Sequence, residues 1–566
     1  MNDAMADAPA TLENPFLSPL IARWRDTPDR LIGAFHDGDE FREVDTATFM
    51  ARALQFSALL AQAGTSPGEI VVIILDHGID AHAAFIGAML IGGVPAFMPS
   101  PNIKQDSALY WRQHREVFAH TMPGAILVSD PLRDAVAEAA AATGAVVLAV
   151  SAVEALAPAT LGPLPEPDAV ALLQHSSGTT GLKKGVKLTY RAITDQFEAY
   201  AQALNLDAVA APRFATWLPL YHDMGLISSF LLPIWRGVPI ISIDPFEWTA
   251  DPSLWLDAIE RYGATHAWVP NFALLHQVRS ARGGKTWKLD TLVAIIGCSE
   301  PNKPEAFDAF ADRFAESGIS PATLQACYAM AETVFAVSQS RIGEKVRRLT
   351  VDREAWLRRG AIEAPAPEAE QAVLLSNGRP VPGCAVRILK DDAFVAERII
   401  GEVCVNAPYM FSGYHNNPAA SGTAFFGEWL RTGDLGFLDQ GEVFIVGRLK
   451  DVIIVNGKNV FAHDVEAAVS RVPNVKPGRA VAFGFYAETV GSEQLVVVAE
   501  RSGPDPAGDA ELIRSINHAV IGEVGLNCGD IRVVAPGWLV KTTSGKMSRS
   551  ENTRKYAEFL AGGGGR

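Results

Sequence analysis

The sequence is short of cysteine. It has five in 566 residues, Cys298, Cys327, Cys384, Cys404 and Cys528, scattered, odd in number and without a Cys-x-x-Cys pair. That argues against a disulfide scaffold or a zinc site and for a reducing compartment, so a cytoplasmic protein is expected. Positive charge is also in deficit. The net charge of −15 argues against broad nucleic-acid binding. Long apolar runs are missing too. The most membrane-like stretch, Ala83 to Met98, is short and contains Gly92, Gly93 and Pro95, and it reads as a buried helix running into a strand; no transmembrane segment is expected. Residues 1–15 are small, polar and acidic, without the basic and apolar regions of a signal peptide, and read as a frayed tail. No internal repeat or low-complexity tract stands out. No Gly-Lys-Ser/Thr opens a helix, which excludes a Walker-type phosphate loop.

What is present is a large soluble α/β pattern. A chain of 566 residues exceeds one hydrophobic core, so several subdomains are expected, and 48% hydrophobic with 20% charged residues is a globular composition. Helical periodicity over Asp45 to Ala63 is followed by a strand at Ile70 to Leu75, a helix at Asp80 to Leu90 and a strand at Val94 to Phe97. Further strand–helix units run on to Ile296, predicting parallel sheets covered by helices. Between Ser338 and Ser376 the pattern changes to a charged segment with a short helix from Asp352 to Gly360, which reads as a surface insertion. From Gly378 to Val446 turn-punctuated strands predict a smaller β subdomain. The remainder reads as a small α+β unit.

The stretch His175 to Tyr190 carries the first chemical signal. An apolar strand, Ala169 to Leu173, enters a loop with Ser176, Ser177, Gly178, Thr179, Thr180, Gly181, Lys183, Lys184 and Gly185, and Val186, Leu188 and Tyr190 then alternate as a second strand. Glycines let backbone N–H groups close on phosphate oxygens, hydroxyls add donors or a metal ligand, and lysines neutralise charge. The plainer reading is a polar hairpin. Five later segments have similar double readings. His222, after Trp217-Leu-Pro-Leu-Tyr, is a site residue or a core histidine. Gly297-Cys298-Ser299-Glu300-Pro301 ends an apolar strand, where ligands sit in open α/β sheets. Tyr328-Ala329-Met330-Ala331-Glu332 offers an aromatic and a carboxylate. Asp434, after Gly433, suits ribose hydroxyls or an ordinary turn, and Gly447-Arg448-Leu449-Lys450-Asp451 follows it. Lys546, in Ser544-Gly545-Lys546, lies on a terminal loop able to reach a site elsewhere, or is a surface lysine.

Taken together, the six segments resemble, in order and rough spacing, the adenylate-forming (acyl-activating) enzyme superfamily. Trp217–Leu226 and the segment Val337 to Ser376, with Val351-Asp-Arg-Glu-Ala-Trp-Leu-Arg-Arg-Gly, look most like the fatty acyl-AMP ligases. Three departures are visible: Lys183 stands where the family usually has Pro, Ala329 where it usually has Gly, and the stretch after Gly457 differs from Tyr-Pro-Gln-Asp. The resemblance implies an α/β fold with a large N-terminal domain (residues 16–446), a hinge at 447–451 centred on Lys450, and a small mobile α+β domain (452–566). It implies ATP and Mg²⁺ as cofactors, a fatty acid as substrate, and a carrier-protein phosphopantetheine as acceptor, with coenzyme A excluded by the insertion; the alternatives are an acyl-CoA synthetase of the same fold and, in another class, a nucleotide-binding regulatory protein without turnover. In that reading Ser176, Ser177, Gly178, Thr179, Thr180, Gly181, Lys184 and Gly185 hold phosphates. Glu332 and Thr179 hold Mg²⁺. Gly297, Cys298, Ser299, Tyr328 and Ala329 bind the nucleotide, Tyr328 stacking on adenine, and Asp434 holds the ribose hydroxyls with Arg448 nearby. Lys546 bridges carboxylate and α-phosphate, and His222 lies where the acyl group meets the phosphates. Trp217, Met224, Ile227 and Phe272 flank the acyl chain.

Overall fold

The computed structural model of the chain describes residues 14–101, 107–175, 184–359, 361–455, 458–487, 492–541 and 547–561. Two sheets and a β subdomain make the large domain. The wide sheet has nine strands. In spatial order they are Arg379–Pro380, Ala336–Gln339, Leu324–Ala329, Ala294–Gly297, His266–Val269, Phe214–Thr216, Ile240–Ser242, Leu31–Asp37 and Glu40–Asp45. The pairs from Leu324–Ala329 through Leu31–Asp37 are parallel, and antiparallel strands close both edges. The middle strands are short and buried on both faces, as expected where helices cover a parallel sheet.

A second, four-stranded parallel sheet has the order Val94–Phe97, Ile70–Ile74, Ala125–Val128, Val146–Ala149. The helices Thr46–Gln62 and Ile79–Leu90 press together beside it. Asp45 caps the first by accepting from the Thr48 N–H at 2.7 Å. The second needs glycine at position 87, because a Cβ there would lie 2.4 Å from the Ala53 carbonyl oxygen. The stretch Ala83 to Met98 is thus a buried helix end and a strand, and among the described residues no helix is long and apolar enough to cross a membrane.

Strands Ala385–Lys390, Gly401–Asn406, Trp429–Asp439 and Glu442–Arg448 form the body of the β subdomain. The small C-terminal domain has its own core. The three-stranded sheet Val475–Ala487, Ser492–Arg501, Asp530–Val534 packs helices Ala462–Ser470 and Asp509–Val524 on one face. The terminal helix Arg549–Ala561 covers the other face through Tyr556.

Three expectations change in detail. The ordered chain begins before residue 16: Asn14 is 1% exposed, its side-chain oxygen accepts from the Phe16 and Leu17 N–H groups, and Pro15 accepts from Trp235. Residues 1–13 of the expected tail lie outside the described residues. The helix after His222 is a π-helix, Met224–Leu231, buried throughout. The insertion is more than a charged loop with one helix. Arg348–Asp352 and Gln371–Leu375 pair antiparallel around helix Arg353–Arg359, and Val351, Trp356 and Ile362 pack with Phe437, Phe444 and Val446 of the β subdomain.

Candidate active site

The carboxyl edge of the wide sheet gathers the predicted residues. Trp217 follows Phe214–Thr216, Phe272 follows His266–Val269, Cys298 and Ser299 follow Ala294–Gly297, and Tyr328 and Ala329 end Leu324–Ala329. These are four neighbouring parallel strands, the place where such sheets bind ligands. The backbone here is shaped rather than regular. Gly297 leaves no room for a side chain, since a Cβ would lie 2.3 Å from Asn302 Oδ1, and Asn302 Nδ2 donates to the Gly297 carbonyl at 3.0 Å. Ser299 has φ +69°, an uncommon conformation for a residue with a side chain. Cys298 is buried, its N–H donating to the Val269 carbonyl at 3.1 Å.

Asp434 and Arg448 face one another directly across the strand pair Trp429–Asp439 and Glu442–Arg448. Arg448 Nε donates to Asp434 Oδ1 at 3.1 Å, and the Tyr328 hydroxyl donates to Oδ2 at 2.7 Å. Gly433 turns the chain with φ +72°, and the Thr432 hydroxyl accepts the Asp434 N–H at 3.0 Å. Burial, then the Asp434 carboxylate, push the Tyr328 phenol far above its ordinary pKa, so it remains a donor. Each carboxylate oxygen keeps a further lone pair for an incoming hydroxyl.

Glu332 stands in a tight turn, Ala331–Thr333, that leads into Val334 at φ +66°. A β-branched residue there costs about 1–3 kcal/mol and marks a turn held by its surroundings. Those surroundings include the hairpin strand Gly185–Thr189. Lys187 donates to the Gly413 carbonyl at 3.1 Å, Ser412 to Lys187 at 3.0 Å, and His415 to Gly185 at 2.7 Å. Phe411 N–H in turn donates to the Glu332 carbonyl at 2.9 Å. This brings Tyr414 in. Its hydroxyl donates to Glu332 Oε1 at 2.8 Å, and Lys184 Nζ lies 4.5 Å from its ring centroid. Burial raises the Glu332 pKa, against the Tyr414 hydrogen bond and the Lys184 charge. Tyr414 escaped the sequence reading. Its only signal there was a tyrosine following Gly413 on a loop between strands.

His222 Nδ1 lies 2.5 Å from Asp223 Oδ1, without the alignment of a hydrogen bond. Asp223 also accepts from Met224 N–H at 2.8 Å and so caps the π-helix. Gly225 is pressed onto the preceding turn, where a Cβ would lie 2.1 Å from the Pro219 carbonyl oxygen. π-Turns recur at functional sites. Met224 and Ile227 lie on this helix and are buried. Trp217 stacks flat on Trp248, with centroids 3.5 Å apart and planes 3° apart, and Phe272 meets both rings edge-on at 6.5 and 6.4 Å. Phe272 is 52% exposed, and its N–H donates to Glu300 Oε1 at 2.6 Å.

Lys450 lies in the turn Leu449–Asp451 between the domains, where burial, then the Arg448 charge, lowers its pKa. Ser176, Ser177, Gly178, Thr179, Thr180, Gly181 and Lys546 lie outside the described residues. The stems of both their loops are described. His175 pairs with Gly185, and Lys541 bridges Met547.

The model of the family described as "AMP-binding enzyme" matches residues 22–415. The medium-chain-fatty-acid–[acyl-carrier-protein] ligase JamA of Moorena producens is 33% identical over 415 residues, 69% of this chain and 68% of that protein. A putative acyl-CoA synthetase of Caulobacter vibrioides is 30% identical over 92% of this chain and 91% of its own length. A solved structure from a study of fatty acyl-adenylate ligases of E. coli and L. pneumophila superposes with a TM-score of 0.87 at 25% identity, covering 97% of this chain and 98% of that one. With a carboxyl-edge site of this build and a family match over most of its length, the chain belongs to the AMP-binding enzyme family.

Proposed function

We propose that the protein activates a fatty acid with ATP to acyl-AMP and passes the acyl group to the phosphopantetheine thiol of an acyl carrier protein. A free carboxylate is a poor electrophile because oxide would have to leave. One carboxylate oxygen attacks the α-phosphorus, the bond to the bridging β-phosphate oxygen breaks, and pyrophosphate departs with that electron pair. A thiolate then displaces AMP from the mixed anhydride. The first step joins two anions and needs positive charge and fixed donors more than covalent chemistry. The observation that carries this reading is Asp434, held by Tyr328 and Arg448, beside Glu332 and Lys184 at one strand edge.

Asp434 accepts the ribose hydroxyls, and Tyr328, Ala329, Gly297, Cys298 and Ser299 border the base. Lys184 and the glycine loop neutralise phosphate charge, and Lys546 bridges the carboxylate and the α-phosphate. Trp217, Met224, Ile227 and Phe272 flank the acyl chain, and His222 stands between chain and phosphates. Lys450 is the hinge. Glu332 fits Mg²⁺: its buried carboxylate accepts one hydrogen bond from a neutral tyrosine and keeps oxygen lone pairs free. Among the described residues no group of three or more His, Cys, Asp or Glu could hold a metal, so phosphate and water oxygens would complete the shell, as is usual for Mg²⁺. When bound, the ion would neutralise phosphate charge.

The carrier protein, rather than coenzyme A, is favoured as acceptor by the insertion. Trp356 stacks on Phe461 of the C-terminal domain with centroids 6.1 Å apart, and Arg353 Nη2 donates to the Gly522 and Glu523 carbonyls at 3.0 and 2.8 Å. These contacts restrain that domain. Pyrophosphate release across a panel of carboxylic acids tests the activation step. Medium and long fatty acids should be turned over. Activation of amino acids alone would overturn the substrate assignment.

A further inference from the structure

The hinge turn and the terminal hairpin stem are tied together by one buried arginine. Arg549 opens the last helix, two residues after Met547 and three after Lys546. Its Nη1 lies 2.8 Å from Asp451 Oδ2, the last residue of the hinge turn Leu449–Asp451. Its Nε and Nη2 grip Glu466 Oε1 and Oε2 at 3.1 and 2.7 Å, on helix Ala462–Ser470. All three side chains are under one-fifth exposed, at 18%, 14% and 18%. Glu466 also accepts the Ala482 N–H at 3.0 Å, so the far end of the clamp is anchored to the C-terminal sheet.

The hairpin stem is itself rigid. Lys541 and Met547 form a β-bridge, and Ser548 N–H donates to the Val540 carbonyl at 3.1 Å. Asn552, 0% exposed, accepts from Val540 N–H at 2.9 Å and donates to the Val540 and Ser548 carbonyls at 2.8 and 2.7 Å. On the other side of the hinge turn, Arg448 bonds Asp434. One short turn therefore has Arg448 reaching into the nucleotide wall and, three residues on, Asp451 reaching into the hairpin stem.

We infer that Arg549 is a positioning residue for the adenylation step: its fork to Asp451 and Glu466 joins the hairpin stem and the hinge turn, so hinge orientation sets where the stem residues Lys541 and Met547 are presented. The inference rests on the proposed acyl-adenylate chemistry. It assigns Arg549 no contact with substrate. Because Asp451 and Glu466 lie C-terminal to Lys450, the clamp travels with the small domain when Lys450 rotates. Its loss therefore weakens the adenylation step and leaves the thiol-transfer step nearly intact.

The test uses the full chain and three variants, Arg549→Ala, Arg549→Lys and Asp451→Ala. Steady-state pyrophosphate release gives kcat and KM for ATP. Transfer is read separately, from synthetic acyl-AMP to a phosphopantetheine thiol. For Arg549→Ala the expected result is a kcat loss of about 10- to 100-fold, the scale of a misplaced catalytic group, with KM for ATP and the transfer rate within about twofold. Arg549→Lys and added ethylguanidinium on the alanine variant should each recover part of the rate. Asp451→Ala keeps the Glu466 pair and should lose less. If Arg549→Ala proves poorly folded, Asp451→Ala carries the test through the same adenylation-to-transfer comparison. Equal loss of both half-reactions, or a loss that tracks the melting temperature without rescue by ethylguanidinium, would make Arg549 a structural residue and overturn the inference. A wild-type protein that releases no pyrophosphate with any fatty acid would instead refute the functional reading beneath it.

Discussion

The wall of the site in the large domain and the face between the two domains are built on opposite principles. In the wall, each acidic group takes a hydrogen bond from a neutral tyrosine hydroxyl, and Asp434 is 11% exposed while its partner Arg448 keeps 42% of its side chain exposed. Asp434 lies opposite Arg448 on paired strands and takes the Tyr328 hydroxyl, and Glu332 takes the Tyr414 hydroxyl. Between the domains, the Trp356–Phe461 stack and the Arg353 hydrogen bonds are joined by ion pairs that are discrete and partly wet. Lys303 Nζ meets Asp464 at 2.9 Å with 38% and 16% of the two side chains exposed, and Arg112 lies 3.7 Å from Glu551 with 50% and 22% exposed. Orphaning a buried polar group costs about 1–3 kcal/mol, whereas an exposed ion pair is worth about 0–1 kcal/mol. The contrast teaches that the acidic groups of the wall are held by neutral donors, whereas the ion pairs between the domains are of the kind that parts readily, leaving the insertion as the firmer tie between them.

Four changes would sharpen or break that contrast. The largest effect belongs to Lys546→Ala, expected to cost adenylate formation about 3–4 kcal/mol, roughly a hundredfold or more. ATP binding, measured by calorimetry, should largely survive because the wall is untouched; full turnover would remove Lys546 from the mechanism. Lys450→Pro follows. It should leave adenylation within about threefold and slow transfer to the carrier at least about tenfold, since a hinge absorbs the change in φ/ψ. Equal loss of both half-reactions would deny the hinge.

Next comes pH. Burial raises the Glu332 pKa above that of a solvated glutamate. Its stability contribution is therefore present below that value and lost as pH rises through the raised one. Its usefulness as an anion runs the other way, so adenylation should fall as pH falls through the raised value. Glu332→Gln should abolish that acid limb, lower the rate at neutral pH and leave the melting temperature equal or higher; an unchanged acid limb would sink the assignment. The smallest effect is Lys303→Ala, which removes one interdomain pair. Stability should change by less than about 1 kcal/mol, and the transfer rate should become less sensitive to salt. A large loss of stability would mean the interface is not the separable one described.

Much of this was legible in the sequence because strand ends, glycine punctuation and charged residues follow local rules. The strand ending at Gly297, the hairpin around the glycine loop, Tyr328 and Glu332 on one strand exit, and Asp434 ahead of Arg448 could all be read before the fold was known. What could not be read depends on contacts between distant segments. Tyr414 earns its place only because residues 412–415 pair with strand Gly185–Thr189. The Asp451–Arg549–Glu466 clamp joins residues nearly a hundred positions apart. The π-helix Met224–Leu231 is largely apolar and buried throughout, and its glycine at 225 is required by the Pro219 carbonyl, which the sequence does not place there. In the insertion, the charged face and the apolar Trp356 read as a helix docked on one side and wet on the other, but its partners Phe437 and Phe444 and the further anchors Val351 and Ile362 come from distant segments.

The most direct measurement offers the protein a choice of acceptor. ATP, Mg²⁺ and a fatty acid are supplied with both coenzyme A and a phosphopantetheinylated carrier protein, and the products are followed by mass spectrometry. The account predicts acyl-AMP appearing first, then the acyl thioester on the carrier, with no acyl-CoA until Arg353 and Trp356 are replaced or residues 341–368 are bridged by a short glycine linker. Efficient acyl-CoA formation by the intact protein would contradict it.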